Sequence, residues 1–272
     1  MQLTRRNVLA GLVVGSAAMA LSACGGGDGG SAADPQKLTG VLERVKENGE
    51  LRIGMEGVYA PYGYHEGDKL VGIEKEIGDA VAAALGVKAK YVETKWDSLI
   101  AGIDVNKYDV VFNNIAATPA RKEKYDFSIP YLRVSGRAAV PKNSTIATLA
   151  DIKGKKAAQT ATSNWNKEAS NLGAEIVIVD GFVQGVELIS SGRADVTLND
   201  YISFQQYLKK HPDAPIKLLD EEVPIDTTIC ALINKGNDDF KAELDKALQK
   251  LITDGSIAKI TDKYTGQDLS PR

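Results

Sequence analysis

Histidine and cysteine are scarce in this 272-residue chain, with two of each, beside two tryptophans and three methionines. No His/Cys group stands at metal-ligand spacing. Two cysteines cannot supply a disulfide framework. Positive charge is not in excess either: 33 Lys and Arg stand against 36 Asp and Glu, a net charge of −3. That sign does not suit a nucleic-acid partner. Past residue 23 there is no apolar run of the roughly 20 residues that a bilayer span needs.

One apolar run is present, at the start. Thr4-Arg-Arg-Asn-Val-Leu9 places two arginines before a stretch running from Val8 to Ala23, and Leu21-Ser-Ala-Cys24 closes it. The order resembles a twin-arginine signal ending in a bacterial lipoprotein box. The resemblance implies a signal peptide over 1–23, cleavage before Cys24 and lipid on its thiol. Residues 24–39 then form a flexible tether, rich in Gly, Ser and Ala from Gly25 to Ala33. Without Arg5 and Arg6 the basic residues fall to 31, for a net charge near −5. With Cys24 lipidated, Cys230 has no disulfide partner. It lies in an apolar β-like run, Thr228 to Ile233, and reads as a buried structural thiol.

From Gly40 on, short apolar runs alternate with amphipathic segments, the pattern of an α/β fold. Leu51-Arg-Ile-Gly54 reads as a strand. Ile73, Ile77, Val81 and Leu85 recur at helical spacing before Gly86, and Phe240, Leu244, Leu248 and Leu251 do the same before Gly255. Strand, helix and strand run from Leu85-Gly86 to Lys107-Tyr-Asp-Val-Val-Phe-Asn-Asn114. They recur from Leu172-Gly173 to Arg193-Ala-Asp-Val-Thr-Leu-Asn-Asp200. The copies are 87 residues apart at their starts and 86 at their ends. Two equivalent lobes follow. In open α/β sheets ligands sit beyond the carboxyl ends of strands. Those ends carry Asn113-Asn114 and Asn199-Asp200, residues that otherwise read as turn formers.

A free amino acid carries opposite charges on one carbon, and holding it dry requires a partner for each. A carboxylate suits Arg and the N–H groups of a helix start; an ammonium suits Asp or Glu. Thr118-Pro119 opens a short helix carrying Arg121, which taken alone reads as a surface arginine. Gln159 to Asn164 follows a strand, and Thr162 or Ser163 can cap the next helix. Asp200 ends the matching strand.

Further motifs follow in order: Tyr59-Ala-Pro-Tyr62, Leu70-Val-Gly-Ile-Glu-Lys-Glu-Ile77, Trp96-Asp-Ser-Leu-Ile100, Thr118-Pro-Ala-Arg-Lys-Glu-Lys-Tyr-Asp-Phe-Ser128, Leu149-Ala-Asp-Ile-Lys-Gly-Lys-Lys156 and Asp254-Gly-Ser-Ile-Ala-Lys-Ile260. From Gly49 to Gly266 the chain resembles the extracellular solute-binding proteins of polar amino-acid ABC importers, family 3. The resemblance implies an α/β, two-lobed periplasmic-binding-protein fold. Lobe one would comprise 40–134 plus 228–272 and lobe two 135–227, with crossings near 133–140 and 226–232. It implies that Arg121 clamps the ligand carboxylate with Thr162, Ser163 and backbone N–H near Ala116, while Asp200 takes the ammonium. Tyr59 and Trp96 would wall the side-chain pocket, with Glu56 at its edge, and Asn114 and Gln159 would stand at the strand ends. The family usually has Ser or Thr where this chain has Ala116, which shifts weight to backbone N–H and Asn114. Lys156 to Trp165, Val179-Asp-Gly-Phe182 and Leu198-Asn-Asp200 are similar to the cystine-binding branch.

The expected role is therefore a lipid-anchored, monomeric binding protein delivering a polar amino acid, cystine first, to an ABC permease. No cofactor or catalytic residue is expected. Two alternatives are a dehydratase-type enzyme on the same fold and an amino-acid sensor. The enzyme needs a placed acid or base. His65 and His211 both read as surface residues, which leaves Glu56 as the credible acid.

Overall fold

The computed structural model describes residues 40–225 and 228–271. The signal segment, Cys24 and the tether lie outside the described residues, as do Asp226 and Thr227 of the second expected crossing, and Arg272.

The chain opens with α1 (Val41–Asn48) and β1 (Glu50–Met55). A small antiparallel sheet follows, built from β2 (Val58–Tyr59), β3 (Gly63–Glu66) and β4 (Lys69–Val71). Next come α2 (Ile73–Ala84), β5 (Lys88–Glu93), α3 (Trp96–Asp104), β6 (Val110–Val111), α4 (Pro119–Lys124), β7 (Tyr125–Phe127) and β8 (Leu132–Arg133). The middle of the chain forms β9 (Gly136–Pro141), β10 (Lys156–Gln159), α5 (Asn164–Asn171), β11 (Glu175–Ile178), α6 (Phe182–Ser190), β12 (Thr197–Asp200), α7 (Tyr201–Lys210) and β13 (Ile216–Leu218). The end supplies β14 (Thr228–Ile229), β15 (Leu232–Asn234), α8 (Asp238–Thr253) and α9 (Ser256–Thr265).

The first lobe is built on a sheet of order β5-β1-β6-β15-β7. Its first three strands are parallel, and β15 runs antiparallel to both neighbours. In the second lobe β10 pairs parallel with β11, and β9 pairs antiparallel with β12 and β13. A parallel bridge from Ala157 to Val196 links the two groups. The order β11-β10-β12-β9-β13 thus repeats that of the first lobe. The shared Asp of the sequence repeat does one job in both copies. Asp109 accepts the Arg52 N–H of β1 at 2.9 Å, and Asp195 accepts the Lys156 N–H of β10 at 2.8 Å. Between the lobes β8 and β14 pair as a two-stranded ribbon.

Helical spacing puts the expected apolar residues inside. Ile73, Ile77 and Val81 of α2 and Phe240, Leu244 and Leu248 of α8 are buried in one cluster on one face of the first sheet. Leu99 and Ile103 of α3 join Tyr108, Val111 and Leu232 in a second cluster. The second lobe has two cores of its own, around Val140, Ala157 and Leu198 and around Val186, Ile189 and Phe204. Cys230 is buried, as its apolar run predicts.

The start of α2 depends on one glycine. Gly72 has φ 131, and a Cβ there would stand 2.3 Å from the carbonyl oxygen of Tyr62. The close approach lets Ile73 and Glu74 donate their N–H groups to the carbonyls of Pro61 and Tyr62, each at 2.9 Å. Gly72→Ala combines a disfavoured backbone with a steric clash and should cost roughly 2–3 kcal/mol. At about 2–4 °C per kcal/mol for a chain of this size, thermal melts should show a drop of roughly 5–10 °C.

Candidate functional site

Four strand ends meet between the lobes: those of β1 and β6 from one side, β10 and β12 from the other. A central cavity there is lined by Glu56, Tyr59, Trp96, Asn113 and Asn114 of the first lobe and Thr160, Ser163, Asn164, Trp165, Gly181, Phe182 and Asn199 of the second. It measures about 40 Å³, little more than the room of one water. Small-molecule sites usually take about 300–1,000 Å³, so the lobes must part for a solute to enter. Larger chambers adjoin it. One of about 490 Å³ holds Arg121 and Thr162 and shares Ser163 and Asn164 with the cavity. Another of about 440 Å³ shares Glu56, Tyr59, Gly181 and Phe182.

The sequence-expected residues are placed as follows. Glu56, Tyr59, Trp96, Asn114 and Ser163 line the central cavity. Arg121 is buried on α4, where Thr118 caps the helix as the Thr-Pro signal predicts. Its guanidinium lies over the Trp96 ring, 5.4 Å from the centroid, and donates to the carbonyls of Ala116 at 3.0 Å and Thr162 at 3.4 Å. Ala116 thus contributes an acceptor to the arginine. Among the described residues no carboxylate forms an ion pair with Arg121. Burial lowers its pKa to about 10. Ser163 rather than Thr162 caps α5, accepting from the Asn166 N–H at 3.1 Å. Thr162 instead meets Asp97 of the first lobe.

Asp200 is fully buried but does not line the cavity. It caps α7: Oδ1 accepts from the Ser203 N–H at 2.9 Å and from the Tyr62 hydroxyl, across the lobes, at 2.8 Å. Its Oδ2 is buried without a partner, as are Asn114 Oδ1 and Trp96 Nε1. A buried polar atom without a hydrogen bond costs about 1–3 kcal/mol, more when charged. Gln159 is absent from the cavity lining. In the orientation that satisfies both ends of its amide, it donates to Leu198 O at 3.2 Å and accepts from Leu198 N at 2.6 Å. It joins two strands.

Three carboxylates are held partly protonated by burial, against the hydrogen bonds that favour their charge. Asp200 rises to about 6, Glu56 to about 7 and Glu74 to about 7. Glu56 accepts from Asn113 Nδ2 at 2.7 Å. Glu74 accepts from the Asn114 N–H at 2.6 Å and from the Tyr131 hydroxyl. Asn114 itself has φ 51, a left-handed conformation that Asn tolerates. Glu74, Tyr62 and Asp97 escaped the sequence reading. Tyr62 and Glu74 sit inside recognisable motifs, and Asp97 follows Trp96, but no periodicity marks them as partners of the site.

Residues 51–267 match the bacterial extracellular solute-binding proteins, family 3. The chain belongs to that family. It is 38% identical over 256 residues to the L-cystine-binding protein TcyA of Bacillus subtilis, covering 92% of this chain and 94% of that one. The L-cystine solute receptor of Neisseria gonorrhoeae, in an unliganded open conformation, is 39% identical. That match covers 86% of this chain and all of the receptor, with a TM-score of 0.57. An ancestral arginine-binding protein bound to arginine is 31% identical, over 79% of this chain and 98% of its own, with a TM-score of 0.74. The more similar sequence superposes less well. This family 3 protein has its lobes in contact, through Tyr59 Oη to Asn199 Oδ1 at 2.6 Å among other bonds.

Glu74 makes stability depend on pH. The folded protein holds its proton up to about pH 7, while an ordinary carboxylate of its kind releases it near 4.5. The folded state therefore binds the extra proton between those values, and this group's contribution falls as pH rises through that window. In Glu74→Gln the change in melting temperature between pH 5 and pH 7.5 should be shifted upward relative to the native chain, with the variant gaining most at pH 7.5. Melts at the two pH values check it, and parallel slopes would contradict the assignment.

Proposed function

We propose that this family 3 protein binds a free amino acid between its lobes and passes it to an ABC importer. The observation that carries the reading is a pair of buried, opposite charges on different lobes. Among the described residues Arg121 and Asp200 hydrogen-bond only to uncharged groups. A zwitterion supplies what both lack: a carboxylate for the guanidinium, and an ammonium for the unpartnered Asp200 Oδ2. The same ammonium suits Asn114 Oδ1, and a carboxylate or other acceptor suits Trp96 Nε1. Ser163 and the start of α5 add N–H groups on the carboxylate side. Because the charges belong to different lobes, ligand stabilises the closed arrangement through its contacts with both.

Cystine is the preferred ligand. The relatives named for cystine support it, as does the chamber beyond Glu56, which leaves room for a long molecule with a second ammonium. Tyr59 and Trp96 wall the path. The lobes comprise 40–134 with 228–272, and 135–227; the β8–β14 ribbon between them supports this division. The protein acts as a monomer, exported and held to the membrane by lipid on Cys24. No helix among the described residues is long and apolar enough to cross a membrane.

A thermal-shift screen against all amino acids and cystine tests the ligand. Cystine at a hundredfold excess over its Kd adds about 2.7 kcal/mol, a rise of several degrees. In calorimetry, Arg121→Ala or Asp200→Ala should weaken binding by roughly a hundredfold or more, since each leaves one charge of the ligand buried alone. Near-native affinity in both variants would refute the site. Cys24→Ser should release the protein from the membrane fraction.

A further inference from the structure

Asp97 joins the two lobes without lining the cavity. It follows Trp96 in the first turn of α3, and its Oδ1 accepts twice from Thr162, from the backbone N–H at 3.0 Å and from the hydroxyl at 2.8 Å. The carbonyl of Thr162 in turn accepts from Arg121 Nη2 at 3.4 Å. One residue of the second lobe is thus gripped from both sides by the first. Thr162 also precedes Ser163, the N-cap of α5, so the Asp97 carboxylate lies near the positive end of that helix, where a negative charge is favoured. Asp97 is not among the residues around the central cavity.

We propose that the Asp97–Thr162 contact is a latch that sets how long the lobes stay closed, with Asp97 a positioning residue for solute retention. The proposal rests on the amino-acid-binding reading above. Two features mark this contact among the cross-lobe links, which also include the buried Tyr62–Asp200 bond. It brings two donors to one charged oxygen, and such charge-assisted bonds are the stronger class. Both bonds are exposed, as is the neighbouring Lys95–Asp180 pair at 2.8 Å; that pair must order two side chains, whereas here one donor is a backbone N–H already fixed by the fold. The contact also reaches the arginine: when Thr162 departs, Arg121 loses an acceptor. Loss of the latch lowers the fraction of closed protein. Apparent affinity scales with that fraction whichever ligand is bound.

The variants are Asp97→Ala, Asp97→Asn and Thr162→Val, each checked by its melt. Lobe separation is read from spin labels at Val105→Cys and Ile178→Cys, exposed positions on opposite lobes. Affinity is read by calorimetry, and release by stopped flow, with cystine and with two other amino acids that bind. Asp97→Ala should weaken all of them by the same factor, about tenfold, mainly through faster release, and should widen the label distance in ligand-free protein. Asp97→Asn keeps an acceptor and should recover part of both changes. Thr162→Val keeps the N–H and should cost about threefold. Unchanged affinity and distance in Asp97→Ala overturn the proposal, as does a loss confined to one ligand, which would mark direct contact. If Asp97→Ala does not fold, the other two variants decide. The label distance is measured without solute, so it tests the latch even if no amino acid binds.

Discussion

Moving an ion out of water is costly unless an opposite charge moves with it, and among the described residues two buried ionisable groups, Arg121 and Asp200, form no ion pair. Arg121 is covered by the Trp96 ring and held by two carbonyls. Asp200 is sealed beneath Tyr62 and the first turn of α7. A chain shaped for stability alone would place these charges together or leave them in water. Here they sit on separate lobes. The displaced pKa values of Asp200, Glu56 and Arg121 express the same cost in another form: burial pushes each toward its neutral state.

That arrangement needs a scaffold that can bear it. Each lobe has cores on both faces of its sheet, and the cavity-lining Tyr59, Trp96 and Trp165 are themselves members of those cores, which fixes their positions. The two sheets share one strand order, and the equivalent aspartates Asp109 and Asp195 fasten equivalent strands. Duplicated geometry turns the carboxyl ends of β1 and β6 toward those of β10 and β12. The small volume between them and the direct bonds across it belong to lobes in contact. The paired β8 and β14 form a narrow connection around which such lobes can part.

Much of this was legible in the residues. The helical spacing of Ile73, Ile77 and Val81 and of Phe240, Leu244 and Leu248 marked helices and their buried faces together. Thr118-Pro119 marked the start of the helix that carries Arg121, and the two strand–helix–strand copies marked two lobes. The site was legible only in part. Glu56, Tyr59, Trp96, Asn114 and Ser163 were anticipated at the cavity and are there. Gln159 stood at a strand end for an equally good sequence reason, yet its amide bonds to the neighbouring strand. Glu74 reads as an ordinary acid in the first turn of a helix, where it would be solvated. It is buried because Tyr131 and Asn114, far along the chain, close over it.

Sequence alone determined the local terms: where strands and helices begin and end, which faces are apolar, and that two copies of one unit flank a cleft. These follow from period, capping and turn chemistry, which act over a few residues. Only the tertiary structure decided the partners. Tyr62 reaches Asp200 across 138 residues and Tyr59 reaches Asn199 across 140. Whether a charge is solvated, capped or stranded depends on what folds over it, and no property of its sequence neighbours carries that information.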